Sequence, residues 1–447
     1  MATMRAEERL SEENRRLKEQ IEKRHGKSVE ELYEERGKRI RDAIELRVPD
    51  RVPVVMGTGV FAARYGGLTA SALYYDHSAY RAACKKMILD FEPDLIGWSE
   101  VGMYPGFVWD LLETKHQRWG GGGLPEDVGI EFVEGEYMKA DEYDLFILDP
   151  SDFIMRYYLP RVFGALAPFA KLPAFRNLTG TGFAGMADLF ARPEYRQLAS
   201  KLYQAGKARE KDKKLSADFT EELTSLGFPM PGQSGATPGG APFDTISDYL
   251  RGMRGAMLDM YRCPDKLLAA CDKILAWRTA QATPANPKKA GNPDRSGGAL
   301  HRASEGFMSI AQFEKFYWPG LQKALLAAID LGYVAAPFCE GVWGNDRLEY
   351  WLELPKGKAL IFFDQVDMFR AKEVLGGHVC IQGNVPASLL TVGSPQDVEE
   401  YCKKLIKVCG KDGGFILSAS TINPPDAAKP ANVKAMIDSA KKYGRYY

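Results

Sequence analysis

The chain is poor in cysteine and histidine and has no long apolar run, and each shortage removes a class of function. Its seven cysteines (Cys84, Cys263, Cys271, Cys339, Cys380, Cys402, Cys409) are odd in number, scattered and never spaced as CxxC. That pattern excludes a disulfide framework and points to free thiols in a reducing compartment, the cytoplasm. No stretch reaches the roughly 18 apolar residues of a membrane span, and the start of the chain is charged from Arg5 onward without an apolar signal core. Fifty-nine basic residues balance 59 acidic ones, so net charge gives no footprint for a nucleic acid or an anionic membrane. No complete Walker spacing occurs, and Thr179-Gly-Thr-Gly182 reads as a tight turn. No serine has a neighbouring His and Asp in a nucleophile motif, which leaves hydrolase chemistry without support.

What the chain does have is alternation. Apolar strand-like runs recur between helical segments at 332–337, 359–363, 379–381 and 415–417, and each ends on polar residues. Arg51-Val-Pro-Val-Val-Met56 predicts a first strand, 94–98 a second and Phe175 to Leu178 another. Strand alternating with helix predicts a parallel sheet, and the length suits a single (β/α)8 TIM-type barrel. Residues 1–45, dense in Glu, Lys and Arg with a break near Gly26, read as an N-terminal helical extension facing mostly solvent. The barrel is expected over 46–447, with a long insertion at 104–150 near its mouth. Loops at 229–242 and 286–298 connect further elements.

In such barrels chemistry sits at the C-terminal ends of the strands. His301 and Arg302 follow a short apolar stretch, and imidazole can ligate a metal or shuttle a proton while guanidinium holds an oxyanion. Cys339 and Glu340 close the strand after 332. Asp364 and Gln365 follow 359–363, and burying a carboxylate there is costly unless it meets a cation, a metal or donors. Gln382, Asn384, Ser418 and Ser420 add neutral donors and acceptors. His25, His77 and His116 read as surface residues, and His378 as structural. Aromatics expected at the mouth are Tyr65, Trp98, Tyr104, Trp109, Phe243 and Trp343.

Several segments carry a resemblance: Arg51-Val-Pro-Val, Phe316 to Pro319, Phe363-Asp-Gln365, the run from Gly377 to Val385, Gly414 to Ser418 and Lys429 to Val433. On these, residues 51–447 resemble the uroporphyrinogen decarboxylase-like superfamily and, within it, the cobalamin-dependent methyltransferases. Uroporphyrinogen decarboxylase proper carries an Arg-rich stretch after its first strand, whereas Val55 to Arg64 here holds one arginine, so the resemblance does not extend to porphyrinogen chemistry. Thiol-directed methyltransferases of the superfamily bind zinc through His-x-Cys and a distant Cys. Phe338-Cys-Glu340 and Ser420 or Thr421 stand at those places here.

The resemblance implies a methyltransferase that takes a methyl group from a small methoxylated, aromatic donor to the cobalamin of a separate corrinoid protein, an O-demethylation. No Asp-x-His-x-x-Gly segment for binding cobalamin occurs in this sequence. The expected catalytic residues are Glu340, Asp364 and Arg302, with Arg302 holding an anionic substituent. Tyr65, Trp98, Gln365, Asn384 and Ser418 are expected to bind substrate, and His301, Glu340 and Asp364 to hold a zinc ion. The N-terminal helices admit a homodimer contact. Two alternatives stay open: a decarboxylase acting on a non-porphyrin acid, and a non-catalytic tetrapyrrole- or corrinoid-binding protein.

Overall fold

The structure, a computed structural model, describes residues 2–230, 235–286 and 293–446, with side chains from residue 12 onward. Residues 231–234 of the loop at 229–242 and 287–292 of the connection at 286–298 lie outside the described residues.

Two helices open the chain, α1 (Ala2–His25) and α2 (Val29–Ile44). Gly26 takes the φ of +65° that the turn between them requires, and Ser28 and Glu31 form a reciprocal capping box that starts α2. Charge density suggested a solvated arm, but α2 is internal. Ile40, Ala43 and Ile44 are buried against Val55, Leu95, Val334, Leu360, Cys380 and Ile416. Those six side chains come from six different strands, so α2 plugs the floor of the sheet. The charge is consistent with this position because Arg39 of the helix serves as an internal ion-pair partner.

Strands β1 (Val55–Met56) and β2 (Leu95–Ile96) are short and parallel. Inside the excursion, β3 (Gln117–Gly120), β4 (Gly123–Leu124) and β5 (Ile130–Phe132) make a separate small sheet. The main sheet holds β6 (Arg295–Leu300), β7 (Val334–Val342), β8 (Leu360–Gln365), β9 (Cys380–Val385) and β10 (Phe415–Ala419), parallel in sequence order. A parallel bridge from Val54 to Leu417 joins β1 and β2 to the β10 edge, giving seven parallel strands in the order β6-β7-β8-β9-β10-β1-β2. Beyond β2, the Ile96 amide donates to the Pro229 carbonyl at 3.3 Å. Among the described residues no strand pairing closes the ring. The fold is therefore α/β with a curved parallel sheet. The strand expected at Phe175 to Leu178 is instead a tight turn, Phe175–Asn177, because Arg176 and Asn177 interrupt its apolar run.

The floor depends on one buried carboxylate. Asp94 accepts from Arg39 at 2.6 Å, from Arg51 at 2.6 and 2.7 Å, and from the Val54 amide at 2.9 Å. Burial opposes its ionisation, but Arg51 and Arg39 outweigh that and hold the carboxyl down at about 2. Asp94→Asn leaves two arginines facing a neutral amide, and urea denaturation should show a loss of about 3–5 kcal/mol. Because the folded pKa lies below the free value of 3.8, this stabilisation is present above pH 3.8 and is lost as pH falls toward 2. The gap between the two proteins should narrow over that window.

Candidate active site

Strand periodicity decides which side chains enter the sheet's concave side. Val334, Leu360, Cys380 and Ile416 form the floor with α2, and counting in twos from them reaches Glu340, Asp364, Gln382 with Asn384, and Ser418. The polar residues at the strand ends thus share a face with the floor residues and stand above them. A register shift in the β7–β8 pairing falls between Cys339 and Val342, and Gly341 there has a φ of +78°. Such bulges re-aim neighbouring side chains, and this one sits beside Glu340. Cys339, of opposite parity, is buried, and burial pushes its thiol far up, so it stays protonated.

His301 and Arg302 follow β6 directly, and their backbone amides donate to the buried Asp244 carboxylate at 3.0 and 3.2 Å. The Tyr317 hydroxyl donates to the same group at 2.6 Å. Burial and the adjacent Asp248 carboxylate push Asp244 up to about 7 against these donors. The His301 Nδ1–H donates to Asp248 at 2.6 Å, and its Nε2 lies 3.3 Å from Glu340. The Asp248 hydrogen bond raises the His301 pKa above the ordinary 6.5 and outweighs burial. Asp248 also forms an ion pair with the Arg302 guanidinium at 3.0 Å. The Arg302 guanidinium lies over the Phe307 ring, and its Nε is buried without a partner.

Asp248, His301, Arg302, Glu340, Asp364 and Gln365 line one cavity of about 640 Å³, together with Phe132, Tyr137, Tyr158, Tyr249, Phe307 and His116, while Asp244 and Tyr317 lie behind its wall. Wide π-helical turns supply several of them: Tyr158 comes from Ile154–Tyr158, and Ser247, Asp248 and Tyr249 come from Ile246–Leu250. His116 stands edge-on to Phe163, its Nδ1 is buried with no partner, and burial lowers its pKa. It therefore presents a neutral imidazole with an unused hydrogen-bonding atom. Glu134, Asp248, Glu340 and Asp364 face only Arg302 and a protonatable His301, so the cavity disfavours an anionic ligand.

Of the residues expected from sequence, His301, Arg302, Glu340, Asp364 and Gln365 meet on this wall. Asn384 and Ser418 lie buried on the same face without lining the cavity. Asn384 donates to the carbonyls of Asp364 and Val366 at 3.0 Å, which fixes the end of β8, and Ser418 donates to the Ala419 carbonyl at 2.9 Å. Trp98 is exposed beyond β2, and Tyr65 packs on Phe61 and Phe91 with its hydroxyl on Asp90. Tyr104, Trp109, Phe243 and Trp343 belong to the core or pack against it. Asp248, Asp244 and His116 were not expected in the site. The first two stand four apart at a helix start, a visible spacing, whereas nothing local marks His116.

For zinc, the donor set is a poor fit. Among the described residues no three His, Cys, Asp or Glu side chains converge as a metal site. His301 Nδ1 is committed to Asp248, and Asp364 accepts the Gly341 amide at 3.1 Å.

Residues 237–443 match the family described as Uroporphyrinogen decarboxylase (URO-D), a stretch that holds β6 to β10 and Asp244, Asp248, His301, Glu340 and Asp364. No curated protein sequence matches the chain. A solved structure, a methyltransferase from Methanosarcina mazei, is similar with a TM-score of 0.53 over 91% of this chain and 98% of that one, at 16% identity. At that identity the likeness is one of fold.

With only five histidines in the chain, proton NMR can follow His301 directly. Its titration midpoint should lie above 6.5 and should fall in Asp248→Asn, which removes the charge that holds the imidazolium.

Proposed function

We propose that this chain is a methyltransferase that moves a methyl group from a small, neutral methoxylated arene to the cobalamin of a separate corrinoid protein. The observation that carries the reading is the His301 imidazole, paired with Asp248 so that its charged form is favoured, on the wall of an aromatic-lined cavity at the C-terminal ends of the strands. The URO-D match over the segment that builds this wall supports it, as does a fold shared with a protein described as a methyltransferase. The reading includes a closed eight-stranded barrel, with the stretch around Pro229 as the strand between β2 and β6.

Cobalamin, carried by the partner, supplies the nucleophile that accepts the methyl group. This chain's task is the other half of the reaction. When the methyl–oxygen bond breaks, an aryloxide leaves whose conjugate acid has a pKa of about 10, so proton donation at that oxygen lowers the barrier. His301 Nε2–H donates the proton, and Asp248 orients the ring and stabilises its charged form. Glu340, half-exposed and 3.3 Å from Nε2, can return a proton from solvent afterwards. His301 thus takes the acid role expected of Glu340 and Asp364. Arg302 neutralises Asp248 rather than a substrate carboxylate. The tyrosines and Phe307 pack on the arene and exclude water.

The excess of carboxylates bears on the alternatives. It disfavours the acid substrate a decarboxylase would need. With the tyrosine rings it supports one second reading, a methylammonium donor held by cation–π contact, whose neutral amine leaves without an acid. The chain should be incubated anaerobically with 2-methoxyphenol and excess cob(I)alamin standing in for the partner. Equal amounts of methylcobalamin and catechol are expected, and His301→Gln should lower the rate by about 10²–10⁴-fold. Turnover of tetramethylammonium in place of the ether, unchanged in His301→Gln, would favour the second reading. Methyl transfer from neither donor, or carbon dioxide release from an added acid, would overturn both.

A further inference from the structure

The floor of the fold carries a cavity of about 590 Å³ that the chemistry above does not use. It opens on the face opposite the mouth, between α2, the entry to β1 and the helix Pro430–Tyr443 with the residues after it. Its walls carry an excess of cations, with Lys27, Arg36, Arg39, Arg51, Lys441 and Arg445 against the carboxylates Glu35, Asp50 and Glu92. Most charges here are answered. Asp94 and Asp50 take up Arg39 and Arg51, and Glu92 is shared by Arg24 at 2.8 Å, His25 at 3.1 Å and Lys441 at 3.7 Å.

Arg36 and Arg445 are the exceptions. Neither has a carboxylate within ion-pair distance among the described residues. Arg36 is the more telling of the two, because it is only 6% exposed, lies over the Phe228 ring, and donates only to the Gly227 carbonyl at 2.6 Å. A guanidinium carries five donors in a planar fork, and burying it with one acceptor is costly unless an anion completes the set. Lys441, which shares Glu92 at 3.7 Å with Arg24 and His25 and donates to the Phe91 carbonyl at 3.3 Å, adds a point charge on the same wall, and burial lowers the pKa of Arg36 and Lys441. A fork and a point charge around an open cavity suit a tetrahedral dianion, and the volume exceeds what a bare phosphate fills.

We propose that this cavity binds a phosphate-bearing small molecule, gripped by Arg36, Lys441 and Arg445. The ligand bridges α2 to the segment after the helix Pro430–Tyr443 and so tightens the plug in the sheet's floor. Its binding is independent of the reaction at the mouth.

Calorimetric titration of the full chain with inorganic pyrophosphate at physiological salt tests this. Saturable 1:1 binding is expected, weakened about tenfold or more in Arg445→Gln and in Arg36→Gln, and unchanged in His301→Gln. Arg445 is exposed, so Arg445→Gln decides the matter if Arg36→Gln does not fold. Absence of saturable binding, equal affinity in Arg445→Gln, or loss of binding in His301→Gln would each overturn the proposal. Tighter binding of citrate than of pyrophosphate would overturn its phosphate character.

Discussion

A carboxylate taken out of water costs several kcal/mol unless donors surround it, and buried aspartates organise both ends of this fold. At the floor, Asp94 gathers Arg39 from α2, Arg51 from the entry to β1 and the Val54 amide, so that helix, strand and loop cannot move apart without exposing an unpaired charge. At the mouth, Asp244 gathers the His301 and Arg302 amides and the Tyr317 hydroxyl. The turn after β6 is thereby held where the His301 ring meets Asp248. Stability at one end and chemistry at the other rest on the same requirement.

The mouth cavity has two unlike walls. One is built from strand ends, where alternation and the bulge at Gly341 deliver Glu340 and Asp364 beside His301. The other is built from the excursion and the π-helical turns, which contribute tyrosines, Phe132 and a neutral His116. The strand-end wall carries His301, Arg302, Glu340 and Asp364, and the facing wall adds Asp248 from its π-helical turn and Glu134 from the excursion. Aromatic surface lies on the wall furnished by loops and turns, where shape matters more than exact position. An aryl ether, flat and neutral with one basic oxygen, matches both.

Strands β7 to β10 were readable because they are apolar runs in regular alternation, whereas β6 was not because Arg295-Ser-Gly-Gly reads as part of the polar connection at 286–298. Glu340, Asp364, Gln365, His301 and Arg302 were readable because they stand where apolar stretches stop. The aromatics were not. Tyr65, Trp98 and Trp343 are as apolar in sequence as Tyr158 and Tyr249, and only tertiary packing decides which face the cavity. His116 enters through a long insertion whose path no local pattern fixes. The Asp248 partnership depends on a π-helical turn, which shifts side chains off the ordinary helical spacing. The α2 plug was misread because its charges resemble a solvated surface until Asp50 and Asp94 are seen opposite Arg39.

Proton donation by His301 is tested most directly by the leaving-group dependence of demethylation. Rates of wild-type protein and His301→Gln should be compared across aryl methyl ethers bearing progressively stronger electron-withdrawing substituents. An acid is needed most for the most basic aryloxide. The expected result is a deficit in His301→Gln that is largest for unsubstituted ethers and shrinks steadily as the released phenol becomes more acidic. A deficit that stays constant across the series would contradict proton donation and leave His301 a positioning role only.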